Sequence, residues 1–231
     1  MRNPDLFLLH FAGGNVYSFN FLEPYLDDEF NFVPIELPGR GNRMEEKLLF
    51  DKKKAIDDIV EQILKKLKSE RFIIYGHSMG ANLGFSVIIQ LEKLGKKPLG
   101  FIVTGNSGPN ITTGKRTYLL PKKEFIKELQ SLGGISNKII ENEEVFDFLE
   151  PMLRADFELI ERKENEVKNI KINCPIYVCM GEGEINSDKI ESWRFYTKRN
   201  VITRLFPGGH FFINNYPLEI SEIIKSMITN I

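Results

Sequence analysis

Residues Arg71 to Leu94 set a β-branched apolar run, a glycine-bracketed serine and an amphipathic helix side by side. Arg71-Phe72-Ile73-Ile74-Tyr75 reads as a buried strand, and Ala81 to Leu94 carries apolar residues three and four apart, the period of a helix. Between them stands Gly76-His77-Ser78-Met79-Gly80, a G-x-S-x-G sequence. A chain that turns so sharply from strand to helix has no room for a Cβ at the outer positions, so both are glycine. The same turn exposes the middle hydroxyl at the carboxyl end of the strand, which makes Ser78 the candidate nucleophile. The motif alone is weak; between a strand and a helix it is strong.

A serine hydroxyl needs a base to take its proton, and the chain has 3 histidines. His10 closes the first apolar run, Leu6 to His10, within the elbow's own sheet layer. His77 precedes the serine, and its side chain is expected to point away from the nucleophile as part of the scaffold. His210 lies in Phe206-Pro207-Gly208-Gly209-His210-Phe211-Phe212, directly after the strand-like Val201 to Leu205. A glycine-rich loop leaving a late strand is a suitable place to present a base, so His210 is the candidate. The acid should leave the strand before it, Cys174 to Met180, in the order serine, acid, histidine. Glu184 ranks first there, then Asp188 at an expected helix N-cap, then Glu182. Two backbone amides should complete an oxyanion hole. Met79 follows the nucleophile, and Ala12, with Phe11 as fallback, lies in the Phe11-Ala12-Gly13-Gly14-Asn15 turn after the first strand.

With 231 residues the chain can bury a sizeable core as a single domain. Its 31 basic and 32 acidic residues nearly cancel, which argues against a nucleic-acid surface. The lysines of Asp51-Lys52-Lys53-Lys54 and Lys65-Lys66 read as solvated helix faces. Cys174 and Cys179 fall on opposite faces of one strand and should not pair, which suits a reducing compartment. The apolar run before Gly13 is too short for a signal peptide or a membrane span, so a cytoplasmic setting is expected. Strand-like runs recur at Leu6–His10, Phe32–Leu37, Phe72–Tyr75, Gly100–Thr104, Pro175–Met180 and Val201–Phe206, with helical patterns such as Asp51–Leu67 and Ala81–Leu94 between them. That alternation predicts an α/β architecture, a mostly parallel sheet with helices on both faces. From about 106 to 165 the rhythm breaks into helical pieces alone, Pro121–Leu132, Asn142–Glu150 and Pro151–Lys163. Their apolar residues (Phe125, Leu129 and Leu132, then Val145, Phe148, Leu149, Met152, Leu153 and Phe157) repeat at helical spacing. An insertion there would lie over Ser78 as a lid.

Several segments together resemble the type II thioesterases that accompany nonribosomal peptide and polyketide synthases. They are Phe11-Ala12-Gly13-Gly14, Pro38-Gly39-Arg40-Gly41-Asn42-Arg43 with Glu45-Glu46, Gly76 to Gly80, Leu153-Arg154-Ala155-Asp156-Phe157, and Gly208 to Phe211. The resemblance runs from about Leu6 to Ile224. It implies the α/β-hydrolase fold with a helical lid. It also implies hydrolysis of acyl thioesters on the phosphopantetheine arm of acyl or peptidyl carrier domains, by a monomer without metal or organic cofactor. Carried onto matching positions, Ser78 is the nucleophile, His210 the base, and Met79 and Ala12 the oxyanion donors. The family usually has G-D-x-D after the acid's strand; Gly181-Glu182-Gly183-Glu184 departs from it, with Glu184 where the catalytic aspartate stands. Synthase-fused thioesterases often carry their acid one strand earlier, where Thr104-Gly105-Asn106-Ser107 offers no carboxylate. For Arg40 and Arg43 structural pairing is the reading. The rivals are a small-molecule esterase or lipase-like hydrolase, and a non-catalytic binding protein on the same scaffold.

Overall fold

In the computed structural model, residues 3–26, 28–111, 113–162 and 170–229 are described. Six strands, β1 (Asp5–Leu9), β2 (Asn31–Ile35), β3 (Phe72–His77), β4 (Gly100–Thr104), β5 (Ile176–Gly181) and β6 (Val201–Phe206), form one parallel sheet in the order β2-β1-β3-β4-β5-β6. β1, β3 and β4 are buried at every position, as strands covered on both faces must be. Pro34, which has no amide to donate, sits on the edge strand β2. The strand-like pattern continues to Leu37, but the sheet pairing stops at Ile35, and Leu37 stays buried on the way to Pro38.

Side-chain alternation splits the core. Phe7, Ile74, Val103 and Val178 face α1 (Lys52–Lys66) and α2 (Met79–Lys93), while Leu8, Tyr75, Ile102 and Cys179 face the other way. Cys174 and Cys179 fall in these two opposite layers, both buried and both free. Asp51 caps α1 by accepting the Lys54 amide at 2.9 Å.

Among the described residues between β4 and β5 lie a single 3-10 turn (Thr117–Leu119) and three helices, α3 (Lys122–Leu132), α4 (Asn137–Glu141) and α5 (Glu143–Glu161). Two helices broken at Pro151 were expected; α5 runs straight through it. Proline removes one amide donor, but Phe146 and Leu153 are buried on either side of it and hold the helix together. Phe146, not Val145 or Phe148, points inward; Phe148 is 65% exposed. Lys163 and the last part of the expected insertion lie outside the described residues. Phe125, Leu129, Phe146, Leu153 and Phe157 make a separate small core that packs against Ala12. The last helix, α6 (Pro217–Thr229), covers the second sheet face. Among the described residues no helix is long and apolar enough to cross a membrane.

Candidate active site

Ser78 stands between β3 and α2 with φ 54° and ψ −110°, a conformation that few non-glycine residues adopt. Its amide donates to the Thr104 carbonyl at 2.8 Å, which ties the turn to β4. A Cβ on Gly76 would lie 2.5 Å from the Gly80 backbone, and one on Gly80 would overlap the Leu9 carbonyl. The elbow is thus wedged against the end of β1, where the candidate oxyanion loop begins.

His210 and Glu184 reach the same point from the ends of β6 and β5. Glu184 Oε2 accepts the His210 Nδ1 proton at 2.5 Å, and Ser78 Oγ donates to Nε2 at 2.8 Å. A carboxylate can only accept, so Nδ1 carries the hydrogen and Nε2 is left free to receive the serine proton. Glu184 Oε1 also accepts the Gly181 amide at 2.7 Å, and the side chain is 6% exposed. The turn bearing the acid is bonded to the base-bearing loop, Glu182 amide to Phe206 carbonyl and Gly183 amide to Gly208 carbonyl, both at 2.9 Å. Glu182 and Asp188 are exposed. Asp188 is not the expected N-cap. Asn186 occupies that position in the left-handed region, and Asp188 lies within the 3-10 helix Ser187–Phe195.

His77 is a packed and hydrogen-bonded scaffold residue, with no contact to Ser78 among those of its ring. That ring lies against the ring of His210, centroids 4.9 Å apart, and touches Phe11 and Phe211. Its Nδ1 shares a hydrogen bond with the Thr104 hydroxyl at 2.9 Å. Burial first, and the neighbouring His210 next, hold His77 well below the usual imidazole range, so it is a neutral floor for the base. A Cβ on Gly105 would lie 2.6 Å from His77 and 3.0 Å from His210, which explains the bare residue at the end of β4.

Met79 is the first residue of α2, where an amide has no intrahelical acceptor and the helix dipole favours negative charge. In the loop after β1, Gly14 donates to Phe11 and Gly13 to Asp156, at 2.9 and 2.7 Å. Among the described residues the amides of Phe11 and Ala12 remain without a partner. Together these groups can activate a hydroxyl, steady an oxyanion and protonate a leaving group.

The protein-family model described as a thioesterase domain matches residues 4–229. The chain belongs to the thioesterase family. It is 32% identical to the gramicidin S biosynthesis protein GrsT of Aneurinibacillus migulanus, over 95% of this chain and 86% of that one. Among solved structures, the type II thioesterase BorB from the borrelidin biosynthetic cluster aligns with a TM-score of 0.88 at 25% identity, covering 97% of this chain and 92% of BorB. ClbQ from the colibactin NRPS/PKS pathway shares the fold, with a TM-score of 0.91 over 99% and 98% of the two chains. This thioesterase is a thioester hydrolase on an α/β-hydrolase sheet.

Two of its residues escaped the reading from sequence as site neighbours. Arg40 and Asp156 were visible inside their motifs, yet nothing in the spacing showed that they meet. Arg43 pairs as expected, with Glu46 at 2.6 Å and Asp58 at 2.8 Å.

Proposed function

We propose that this thioesterase hydrolyses acyl thioesters carried on the phosphopantetheine arm of carrier domains, clearing stalled or misprimed groups from a synthase. The observation that carries the reading is the continuous Glu184–His210–Ser78 relay at the carboxyl edge of the sheet, 2.5 and 2.8 Å, in a thioesterase-family chain. Ser78 Oγ attacks the thioester carbonyl as His210 Nε2 takes its proton. The alkoxide rests on the Met79 and Ala12 amides, and Glu184 stabilises the imidazolium. The C–S bond then breaks and the thiol leaves with the His210 proton. Water, deprotonated by the same imidazole, releases the acid and restores Ser78.

The helices between β4 and β5 would act as the lid over this centre; Gly134, in the loop after α3, rests against the Phe211 ring. Two buried, unpaired thiols support a reducing, cytoplasmic setting.

The test compares acyl-carrier turnover with that of p-nitrophenyl esters, in the parent and in Ser78→Ala. The carrier substrate should have the higher kcat/KM, and Ser78→Ala should lose roughly 10⁴-fold in kcat. Indifference to the carrier would make the protein a small-molecule esterase. Failure of a fluorophosphonate to label Ser78 would point to a non-catalytic scaffold.

A further inference from the structure

Two motifs with no part in that chemistry, Pro38-Gly39-Arg40 and Leu153 to Phe157, converge on the loop after β1. Arg40 Nη1 and Nη2 each donate to one oxygen of Asp156 at 2.6 Å, and the two residues are 3% and 0% exposed. Asp156 Oδ2 also accepts the Gly13 amide at 2.7 Å, while Arg40 Nη1 donates to the Gly14 carbonyl at 3.2 Å. One buried ion pair therefore grips the peptide groups on either side of the Gly13–Gly14 pair. From above, α5 closes on the same spot: a Cβ on Gly13, at φ +80°, would lie 2.5 Å from Leu153 Cδ2.

The geometry has a directional consequence. The Phe11 carbonyl and the Ala12 N–H are opposite sides of one trans peptide. The Gly14 amide donates to that Phe11 carbonyl, so the Ala12 N–H is turned the other way, out of the loop. Asp156 and Arg40 bond to this turn at the Gly13 amide and the Gly14 carbonyl. A buried ion pair is poorly suited to stability as such, since apolar residues of similar volume often serve as well. What leucine and methionine cannot supply is an acceptor aimed at the Gly13 N–H.

We infer that Asp156, oriented by Arg40, is a positioning residue for the oxyanion hole, fixing the loop so that the Ala12 N–H meets the developing alkoxide. The inference rests on the serine-hydrolase reading above. It assigns Arg40 and Asp156 a task in kcat and none in contacting substrate.

The decisive variant is Arg40→Met/Asp156→Leu, which keeps the branching at position 156 and an unbranched side chain at position 40, leaves no unpaired buried charge and removes the Gly13 acceptor. Circular dichroism and thermal unfolding establish that it is folded. With an acyl-N-acetylcysteamine thioester, its kcat should fall roughly 10- to 100-fold at near-constant KM, because a misaimed donor costs that much. A trifluoromethyl ketone analogue, whose hemiketal oxyanion would occupy the hole, should lose affinity in parallel. Asp156→Asn, which keeps an acceptor for Gly13, should retain more activity than the double variant. A folded double variant within threefold of the parent kcat, or one altered only in KM, would overturn the inference and leave the serine reading standing. An active Ser78→Ala would overturn both.

Discussion

The imidazole of His77 lies against that of His210, ring centroids 4.9 Å apart and planes 37° apart. His210 becomes an imidazolium during the proposed reaction, and a second cation at that distance would oppose it. Burial keeps His77 neutral, and the Thr104 hydroxyl fixes its ring. Phe11 and Phe211, which themselves pack at 4.8 Å, lean on the same ring, so His77 ties together the oxyanion, nucleophile and base loops. His77→Ala should therefore lower kcat about tenfold with little change in KM, by analogy with other small losses of positioning. His77→Phe, which keeps the ring contacts but not the Thr104 bond, should fall between the two. Steady-state kinetics on one thioester decides it, and full activity in His77→Ala would remove this role.

Glu184 divides its two oxygens between the His210 Nδ1 proton and the Gly181 amide. The second bond holds the longer side chain back, so that a glutamate fits where relatives of this type usually carry aspartate. Glu184→Asp should thus be harmful despite restoring the common residue, costing roughly tenfold or more in kcat because a carboxylate one methylene shorter cannot span both partners. Glu184→Gln should cost about 10³- to 10⁴-fold, since an amide can donate to Nδ1 and favours the wrong tautomer. Asp188→Asn should be silent. If Asp188→Asn were the damaging change, the acid would have to be reassigned.

Local signals carried most of this site. The elbow was legible because strand, glycines and helix are contiguous, and Glu184 and His210 were legible because each leaves the end of a recognisable strand. The parallel sheet followed from the same alternation; its strand order did not. What the sequence could not reveal was contact across distance in the chain. Arg40 and Asp156 are 116 positions apart and joined only by the fold. The His77 ring follows from packing around Gly105, and no periodicity encodes that. The phase of α5 was misread because Val145, Phe146 and Phe148 are all apolar, and only tertiary packing decides which of them is buried.

His10 offers a pH test of the same neighbourhood. Its ring is 3% exposed, and its Nδ1 donates to the Phe11 carbonyl at 2.9 Å. Burial, and then the Arg40 charge, lower its pKa from 6.5 to about 4, against a smaller opposing pull from Asp156 and the Phe11 bond. Between those two values the unfolded chain binds a proton that the folded one refuses, so stability must fall as pH drops from 6.5 toward 4. From pH 7 to pH 5 the loss from this one group is about 2 kcal/mol at 1.36 kcal/mol per unit. Urea unfolding at the two pH values should show it in the parent. His10→Gln, which can still donate to Phe11 but does not titrate, should lose less stability by about that amount. Equal losses in both proteins would mean that His10 is not the group that charges.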